Sequence, residues 1–315
     1  MPPPDELIAK LPGESTKERP LVIAHRGASA IAPENTLRAF KLAALLGADG
    51  IELDVHLSAD CQPVVIHDGR LNRTTDARGL VSHFTAMQLS KTDASTWFDR
   101  RLALRPRIRA RVQRTLGSIE NRPKVEPNPE RVPTLETVFR EFGGAGFKRI
   151  YVELKGARET RPALLDGVLR LVQSFDLKRI VTLLSFHHDI IKRSAELAPD
   201  VRTAINIAAP IGHLPTARSI LRSAEAARAD EVALHFSLAS RRLVGLLHDR
   251  GLAVAAWTAN NKIVMRRLVA SETDSIITNY TDRLRQIVVL EDQQGFRKTE
   301  RRFRRGARRP LRPRD

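Results

Sequence analysis

Short apolar runs alternate with amphipathic stretches in residues 149–207, RIYVELKGARETRPALLDGVLRLVQSFDLKRIVTLLSFHHDIIKRSAELAPDVRTAINI. Three runs in it are rich in β-branched residues and predict buried strands: RIYVELK (149–155), IVTLLSF (180–186) and VRTAINI (201–207). The segments between them carry apolar residues at helical spacing, which predicts a helix after each strand. Strands of this kind, separated by helices, favour a parallel sheet with the helices packed outside it.

The same alternation extends to both sides of this segment. Further apolar runs that predict strands begin at residues 21, 50, 231, 252 and 274. An amphipathic stretch follows each of them if the segment after the second strand is skipped. With the three runs above they make eight strand–helix units, a number that favours closure into a (β/α)8 TIM barrel. An open doubly wound sheet is the alternative, but no glycine-rich dinucleotide-binding loop follows the first strand. We therefore predict an α/β protein built on a (β/α)8 barrel.

One segment interrupts the alternation after the second predicted strand, GIELDV (50–55). PVVIH (63–67) is another apolar run, and the turn-like SADCQ precedes it, so we predict a small hairpin over 56–67 and not a barrel strand. Residues 69–132 show little regular patterning. We expect 57–132 to be an insertion into the barrel.

Positive charge is concentrated in two segments. Residues 100–131 hold ten Arg or Lys and three Glu, and residues 297–315 hold ten Arg or Lys and two acids. They supply +15 of the formal net charge of +17, so the rest of the chain is nearly neutral. Because the two segments contain one aromatic residue, Phe303, they lack the side chains on which bases stack, and no specific nucleic-acid partner is predicted.

These patterns predict an N-terminal extension over 1–20, a barrel domain over 21–290 and a basic, disordered tail over 291–315. We expect the tail to attach to an anionic membrane surface, and a solvated tail without a partner is the alternative. Residues 1–20 contain no apolar run of the kind that secretory signals need, and no stretch approaches the roughly 18 apolar residues of a membrane span. The single cysteine, Cys61, excludes an internal disulfide. The expected location is the cytoplasm, peripheral to the membrane if the tail binds there.

Three carboxylates lie where predicted barrel strands end, which is the end that carries the active site in barrels of this type. Glu52 and Asp54 are two residues apart and face the same side of their strand, and Glu153 lies at the end of the next barrel strand. Converging carboxylates repel one another unless a cation neutralises them. Oxygen ligands suit Mg²⁺ or Ca²⁺ better than zinc. We predict one divalent cation at these three residues.

Two histidines and two cationic side chains occupy the same predicted rim. His25 and Arg26 end the first strand, His67 ends the hairpin, and Lys155 ends the strand that carries the third carboxylate. Histidine suits general acid–base work near neutral pH, and Arg and Lys can hold a phosphate. Trp257 either belongs to the core or lines the pocket and contacts substrate. Single residues of these types are usually ion-pair partners, caps or core residues, but together at one rim they favour cleavage of a phosphodiester.

The runs AHRGASAIAPENT (24–36) and GADGIELDVHLSADCQPVVIHDGRLNRTT (47–75) resemble the signature of the glycerophosphodiester phosphodiesterases. The resemblance continues through VPTLETVF, YVELK, VAAWTANN and DSIITN, and it covers about 21–98 and 132–282. It implies a (β/α)8 barrel that hydrolyses glycerophosphodiesters to glycerol 3-phosphate and an alcohol. It also implies attack by the substrate's own glycerol hydroxyl, through a cyclic phosphate.

The resemblance also implies roles for individual residues. Glu52, Asp54 and Glu153 match the metal-binding carboxylates, and family members take Mg²⁺ or Ca²⁺. His25 and His67 match the catalytic acid–base pair. The residues that match positions near the phosphate are Arg26 and Lys155.

The sequence departs from the family pattern in places that leave these residues intact. Cys61 and Gln62 stand where many relatives have Asp-Gly in the hairpin turn, and Asn279 and Thr281 stand where relatives often have ITD followed by Pro. The basic stretch at 100–131 is longer than the usual connection and could cover part of the pocket. Substrate choice is therefore open.

Other functions are alternatives to this interpretation. A lysophospholipase D or sphingomyelinase-D-like enzyme would use the same barrel and metal on a lysolipid substrate, and a wide apolar groove near Trp257 would favour it. Charge alone suggests a polyanion-binding protein. A catalytically inactive barrel is disfavoured because both histidines and all three carboxylates are retained.

Overall fold

The computed structural model describes residues 19–119, 129–212 and 214–290. In these ranges eight parallel strands are hydrogen-bonded side by side, and the first pairs with both the second and the last, so the sheet closes into a barrel. The predicted (β/α)8 fold is confirmed. The barrel strands are β1 (Leu21–His25), β2 (Gly50–Leu57), β4 (Arg149–Leu154), β5 (Val181–Ser185), β6 (Arg202–Ile207), β7 (Glu231–His235), β8 (Ala253–Trp257) and β9 (Ser275–Thr278).

Helices pack around the outside of the barrel because each has an apolar face that the strands bury. The barrel helices are α1 (Leu37–Leu45), α5 (Leu135–Phe142), α6 (Arg161–Ser174), α7 (His188–Leu197), α8 (Ala217–Ala227), α9 (Arg241–His248), α10 (Lys262–Ala270) and α11 (281–290). In the described part of the chain, no helix is long and apolar enough to cross a bilayer.

The segment after β2 begins with the predicted hairpin, in which β3 (Pro63–Val65) pairs antiparallel with the end of β2. The expectation of little regular structure beyond it is wrong. Two 3₁₀ turns, Leu71–Arg73 and Val81–His83, precede three helices. These helices are α2 (Ala86–Leu89), α3 (Thr96–Ala103) and α4 (Pro106–Gly117). The many arginines hide the helical pattern of α3 and α4, whose few apolar residues face the protein body.

Other expectations fall on residues that the structure does not describe. Residues 1–18, most of the predicted N-terminal extension, and the basic tail at 291–315 lie outside the described ranges, as do residues 120–128 of the basic stretch. The arginine-rich residues 100–119 are described.

Side chains inside the barrel form a core of their own, separate from the core between strands and helices. Tyr151 is the largest of them and is fully buried. Small residues face it from other strands, among them Ala204, Ala233 and Ala255. Its hydroxyl donates a hydrogen bond to the carboxylate of Glu231 at 2.6 Å. The lumen is thus filled by side chains, as expected for an eight-stranded barrel.

A tight turn connects β1 to the loop before α1. Arg26 and Gly27 both have positive φ, 57° and 75°. A Cβ on Gly27 would lie 2.6 Å from the carbonyl carbon of Ala39 in α1, so this close approach requires glycine. Thr36 caps α1 by accepting a hydrogen bond from the amide of Ala39. The turn therefore holds Arg26 at the carboxyl end of the barrel.

Candidate active site

Three buried carboxylates meet at the carboxyl ends of β2 and β4. Asp54 lies opposite Glu153 in the register between these strands, and Glu52 lies two residues earlier on β2. One oxygen from each carboxylate can be chosen so that all three lie within 4.8 Å of one another. The exposed fractions of Glu52, Asp54 and Glu153 are 2%, 0% and 8%. The predicted acidic cluster is therefore assembled by the fold.

The carboxylates strongly perturb one another. Burial, with the charge of Asp54, raises the pKa of Glu52 well above its ordinary value, and the same two causes raise the pKa of Glu153. Burial also opposes ionisation of Asp54, yet Lys155 and Arg26 hold its pKa below the ordinary value. A divalent cation would neutralise these buried negative charges and so relieve their mutual repulsion. The donor set consists of carboxylate oxygens, which fits Mg²⁺ or Ca²⁺.

Asp54 is held from several sides. The side-chain amide of Asn35 donates to its Oδ2 at 2.8 Å, and Nε of Arg26 lies 3.1 Å from the same oxygen. Its other oxygen, Oδ1, is buried and forms an ion pair with Nζ of Lys155 at 3.1 Å. The ammonium of Lys155 also donates to Glu153 at 2.8 Å. The carboxylate oxygens of Asp54 thus lie close enough to those of Glu52 and Glu153 to share a metal ion.

His25 ends β1 beside the cluster, opposite Glu52 in the strand register. Its Nδ1 lies 2.6 Å from Oδ1 of Asn279. Since an amide oxygen only accepts, Nδ1 carries the proton, and Nε2 is left 3.8 Å from the Glu52 carboxylate. Burial, helped by the charge of Arg26, lowers the pKa of His25 to about 4. The imidazole is therefore neutral near pH 7 and able to accept a proton.

His67 follows β3, and a chain of ion pairs holds it. Its Nδ1 lies 2.6 Å from Oδ1 of Asp68, and Nε of Arg73 donates to Asp68 at 2.7 Å. Arg73 also donates to both oxygens of Glu34, and Glu34 accepts from Arg26 at 2.8 Å. This chain of ion pairs runs from His67 back to Arg26, which pairs with Asp54 of the acidic cluster. Burial lowers the pKa of His67, although its hydrogen bond to Asp68 favours the protonated form.

A cavity of about 200 Å³ lies among these groups, and we call it the carboxylate cavity. Every predicted site residue except Asp54 lines it: His25, Arg26, Glu52, His67, Glu153, Lys155 and Trp257. The indole of Trp257 donates to the carbonyl of Ala233 at 2.9 Å and meets the ring of Phe186 edge-on at 5.4 Å. Trp257 thus forms an apolar wall opposite the acids.

A second, more open groove of about 550 Å³ adjoins the carboxylate cavity, and we call it the outer groove. The two share His67, Glu153, Lys155 and Phe186. Beyond them the outer groove is lined by polar and apolar side chains that include Arg70, Leu80 and His187. A ligand that fills both spaces would therefore pass directly beside His67.

Several residues at the site were not predicted as site residues from the sequence. Glu34 and Asn35 stand in the PENT motif and Arg73 in LNRTT, so the motif did carry a signal for them. Asn206 carried none. It is buried, lines the carboxylate cavity from β6, and its Oδ1 has no hydrogen-bond partner in the described ranges. Asn279 was noticed only as a departure from the family pattern.

A closed barrel with a buried acidic cluster and two histidines at one cavity is the arrangement expected of a phosphodiesterase. The glycerophosphoryl diester phosphodiesterase family model matches residues 25–283, and the chain belongs to this family. It is thus a glycerophosphodiester phosphodiesterase by homology, as the sequence resemblance implied.

Individual relatives agree. A glycerophosphodiester phosphodiesterase of Caldanaerobacter subterraneus subsp. tengcongensis is 31% identical over 271 residues, which cover 85% of this chain and 97% of that protein. The crystal structure of one from Agrobacterium tumefaciens has a TM-score of 0.65 and 26% identity, with 84% of this chain and 98% of that chain covered. A phosphodiesterase of Oleispira antarctica, solved with its product sn-glycerol 3-phosphate, has the same fold, with a TM-score of 0.69, 24% identity and coverage of 86% and 97%.

Proposed function

We propose that this protein hydrolyses glycerophosphodiesters to glycerol 3-phosphate and an alcohol, with one divalent cation, Mg²⁺ or Ca²⁺, at Glu52, Asp54 and Glu153. The observation that carries the proposal is the meeting of three buried carboxylates and two histidines at one cavity. The product bound to the Oleispira antarctica phosphodiesterase is the one proposed here.

The proposed chemistry distributes proton transfer between His25 and His67. One imidazole takes the proton of the substrate's glycerol hydroxyl as the hydroxyl oxygen bonds to phosphorus. The other imidazole protonates the leaving alcohol as the bond between phosphorus and the alcohol oxygen breaks. Water then opens the resulting cyclic phosphate with the two roles exchanged. The cation, when bound, neutralises charge on the phosphate oxygens. Arg26 and Lys155 add positive charge beside the carboxylates, where the phosphate would lie. Trp257 shields the glycerol from water.

Metal removal is the direct test of the cation site. Turnover of a panel of glycerophosphodiesters and lysophospholipids should be lost in EDTA and restored by Mg²⁺ or Ca²⁺. Glu52→Gln should weaken metal binding, measured by calorimetry, because it removes one of the three charges that the cation neutralises. Full activity in excess chelator would contradict the proposal.

Substitution of each histidine tests the acid–base pair. A general acid or base is worth about 10²–10⁴ in rate, so His25→Ala and His67→Ala should each lose at least about 100-fold in kcat. His83→Ala is a matched control, since His83 is exposed on a 3₁₀ turn away from the cavity lining. Near-normal turnover by a folded His25 or His67 variant would refute its assignment.

Lysolipid cleavage is the second candidate function, and the apolar side of the cavity mouth favours it. Phe186 is 44% exposed, packs against Trp257 and lines both the carboxylate cavity and the outer groove. An acyl chain could lie against these rings. If lysolipids are substrates, Phe186→Ala should lower kcat/KM for lysophosphatidylcholine more than for glycerophosphocholine. Equal effects on kcat/KM for both substrates would mean that the rings of Phe186 and Trp257 contact the glycerol and not an acyl chain.

A further inference from the structure

An exposed basic surface lies on α3 and α4, outside the carboxylate cavity. We call it the arginine face, and its six exposed members are Arg100, Arg101, Arg105, Arg107, Arg109 and Arg114. Residues 100–119 contain no acid. Within the described ranges, none of the six side chains makes an ion pair or a hydrogen bond, in contrast to Arg111 of the same helix. The charge of the arginine face is therefore open to a partner.

The arginine face is fixed to the barrel. Val112 of α4 is 4% exposed and belongs to the main hydrophobic core, and Phe98 of α3 is 5% exposed. The guanidinium of Arg111 stacks 4.1 Å from the ring centroid of Tyr280 and lies 3.4 Å from Asp282. Because these apolar side chains pack against the barrel, α3 and α4 are held on its outside with their arginines exposed.

The attachment point lies at the catalytic end of the barrel. Tyr280 and Asp282 follow the carboxyl end of β9, directly after Asn279, the hydrogen-bond partner of His25. Glu130, just after the insertion helices, pairs with Arg38 at the start of α1, which also follows a strand's carboxyl end. A large anionic partner on the arginine face would thus adjoin the entrance to the site.

One apolar side chain stands within this basic surface. Leu104, at the junction of α3 and α4, is 83% exposed, and it directly precedes Arg105 and lies three residues after Arg101. Basic residues around an exposed leucine suit the interface of an anionic bilayer, where the charges meet headgroups and the leucine reaches the acyl boundary. Nucleic-acid binding would instead benefit from aromatic rings for stacking, but Phe98 is buried and Trp97 is partly buried.

We infer that the arginine face docks the protein on the anionic surface of a lipid bilayer, with Leu104 entering the interface. This inference goes beyond the proposed function and stands on the charge, exposure and attachment of α3 and α4.

Vesicle binding by the full-length chain tests the inference. Cosedimentation would use vesicles of phosphatidylcholine with one-quarter phosphatidylglycerol, and vesicles of phosphatidylcholine alone. Replacing Arg105, Arg107 and Arg109 together by Gln should weaken binding to the anionic vesicles at least about tenfold. The matched control replaces three exposed arginines on other helices by Gln. These are Arg218, Arg222 and Arg266, and their loss should change binding less than about twofold.

The variant Leu104→Gln distinguishes binding to a membrane from binding to other polyanions. It leaves the charge unchanged, so it should weaken anionic-vesicle binding several-fold and leave binding to duplex DNA unaltered. All of these variants should turn over a soluble glycerophosphodiester like the parent, so loss of docking is distinguishable from loss of activity. Equal vesicle binding by the Arg105/Arg107/Arg109 variant and its control would overturn the inference. Binding to duplex DNA without binding to anionic vesicles would also overturn it.

Discussion

At the scale of single residues, the site depends on partners that orient its titratable groups. His25 receives a neutral partner in Asn279, whereas His67 has a carboxylate partner in Asp68. A carboxylate favours the protonated imidazole, and an amide oxygen fixes the tautomer without adding charge. Burial adds to this difference, because His25 is the more enclosed of the two histidines. The environments of the two histidines therefore differ, as an acid–base pair requires.

Substitution of Asn279 tests this reading of His25. Asn279→Ala removes the hydrogen bond that orients the ring, so kcat should fall about tenfold or more while KM changes little. Asn279→Asp keeps the acceptor and adds a negative charge, which raises the pKa of His25 from about 4. One limb of the kcat/KM pH profile should then move to higher pH. Parent-like pH profiles for both variants would show that Asn279 does not position His25.

At the scale of elements, ion pairs tie together loops that follow different strands. Glu34 lies between β1 and α1, and Arg73 lies beyond β3, yet Arg73 donates to both oxygens of Glu34 and also to Asp68. The side chain of Arg73 is 44% exposed, so these pairs contribute little to global stability, about 1 kcal/mol or less each. Their effect is local: they set the position of the loop that carries His67 relative to the barrel.

The strands also share a buried polar network at the opposite end of the lumen. Tyr151 of β4 donates to Glu231 of β7 at 2.6 Å and lies 3.0 Å from the hydroxyl of Ser275 of β9. Tyr151→Phe leaves the buried carboxylate without this donor, so the free energy of unfolding at pH 7 should fall by about 1–3 kcal/mol in urea titration. An unchanged unfolding free energy would mean that water replaces the hydroxyl.

The burial of Glu231 predicts that the stability of the fold depends on pH. Burial raises its pKa in the folded state, so folding favours its protonated form. Its contribution to stability is fully present below the ordinary pKa of 4.5 and is lost as pH rises through the folded-state pKa. Glu231→Gln stays neutral, and its stability relative to the parent should therefore increase as pH rises from 4 to 8. A constant difference would contradict this assignment.

At the scale of the whole molecule, the candidate catalytic residues and the basic segments lie in different parts of the chain. All of the candidate catalytic and metal-binding residues lie between His25 and Trp257 inside one closed barrel. The arginine face lies on helices inserted after β2, and the basic tail begins after α11. Charge can therefore vary in these segments without disturbing the barrel core.

Truncation after residue 292 tests this division. The tail carries ten basic residues in 297–315. Each basic residue near an anionic leaflet is worth roughly 1 kcal/mol before screening, so the truncated protein should bind anionic vesicles more weakly. Turnover of soluble glycerophosphocholine should be unchanged, because the barrel supplies the site. Undiminished vesicle binding in low salt would show that the tail is no anchor, and lost turnover would place the tail in the folded domain.

The barrel and most of the side chains at its carboxyl end were predictable from the amino-acid sequence. Eight apolar runs with helical stretches between them specify strands and helices through local periodicity, and barrel closure follows from their number. Glu52, Asp54 and Glu153 were predictable because strand ends converge in such a fold. His25 and His67 were predictable for the same reason, and the motif spacing added their family roles.

The side chains that hold these residues in place became apparent from the folded structure and not from the sequence. Asn279 lies 254 positions from His25, and Tyr151 lies 80 from Glu231, so neither pairing leaves a periodic trace in the sequence. Asn206 reaches the cavity only because closure brings β6 across from the acids. Helices α3 and α4 were missed because burial against the barrel, more than an extended apolar stripe, stabilises them. Local patterns specify elements, whereas contacts between distant residues arise only when those elements pack.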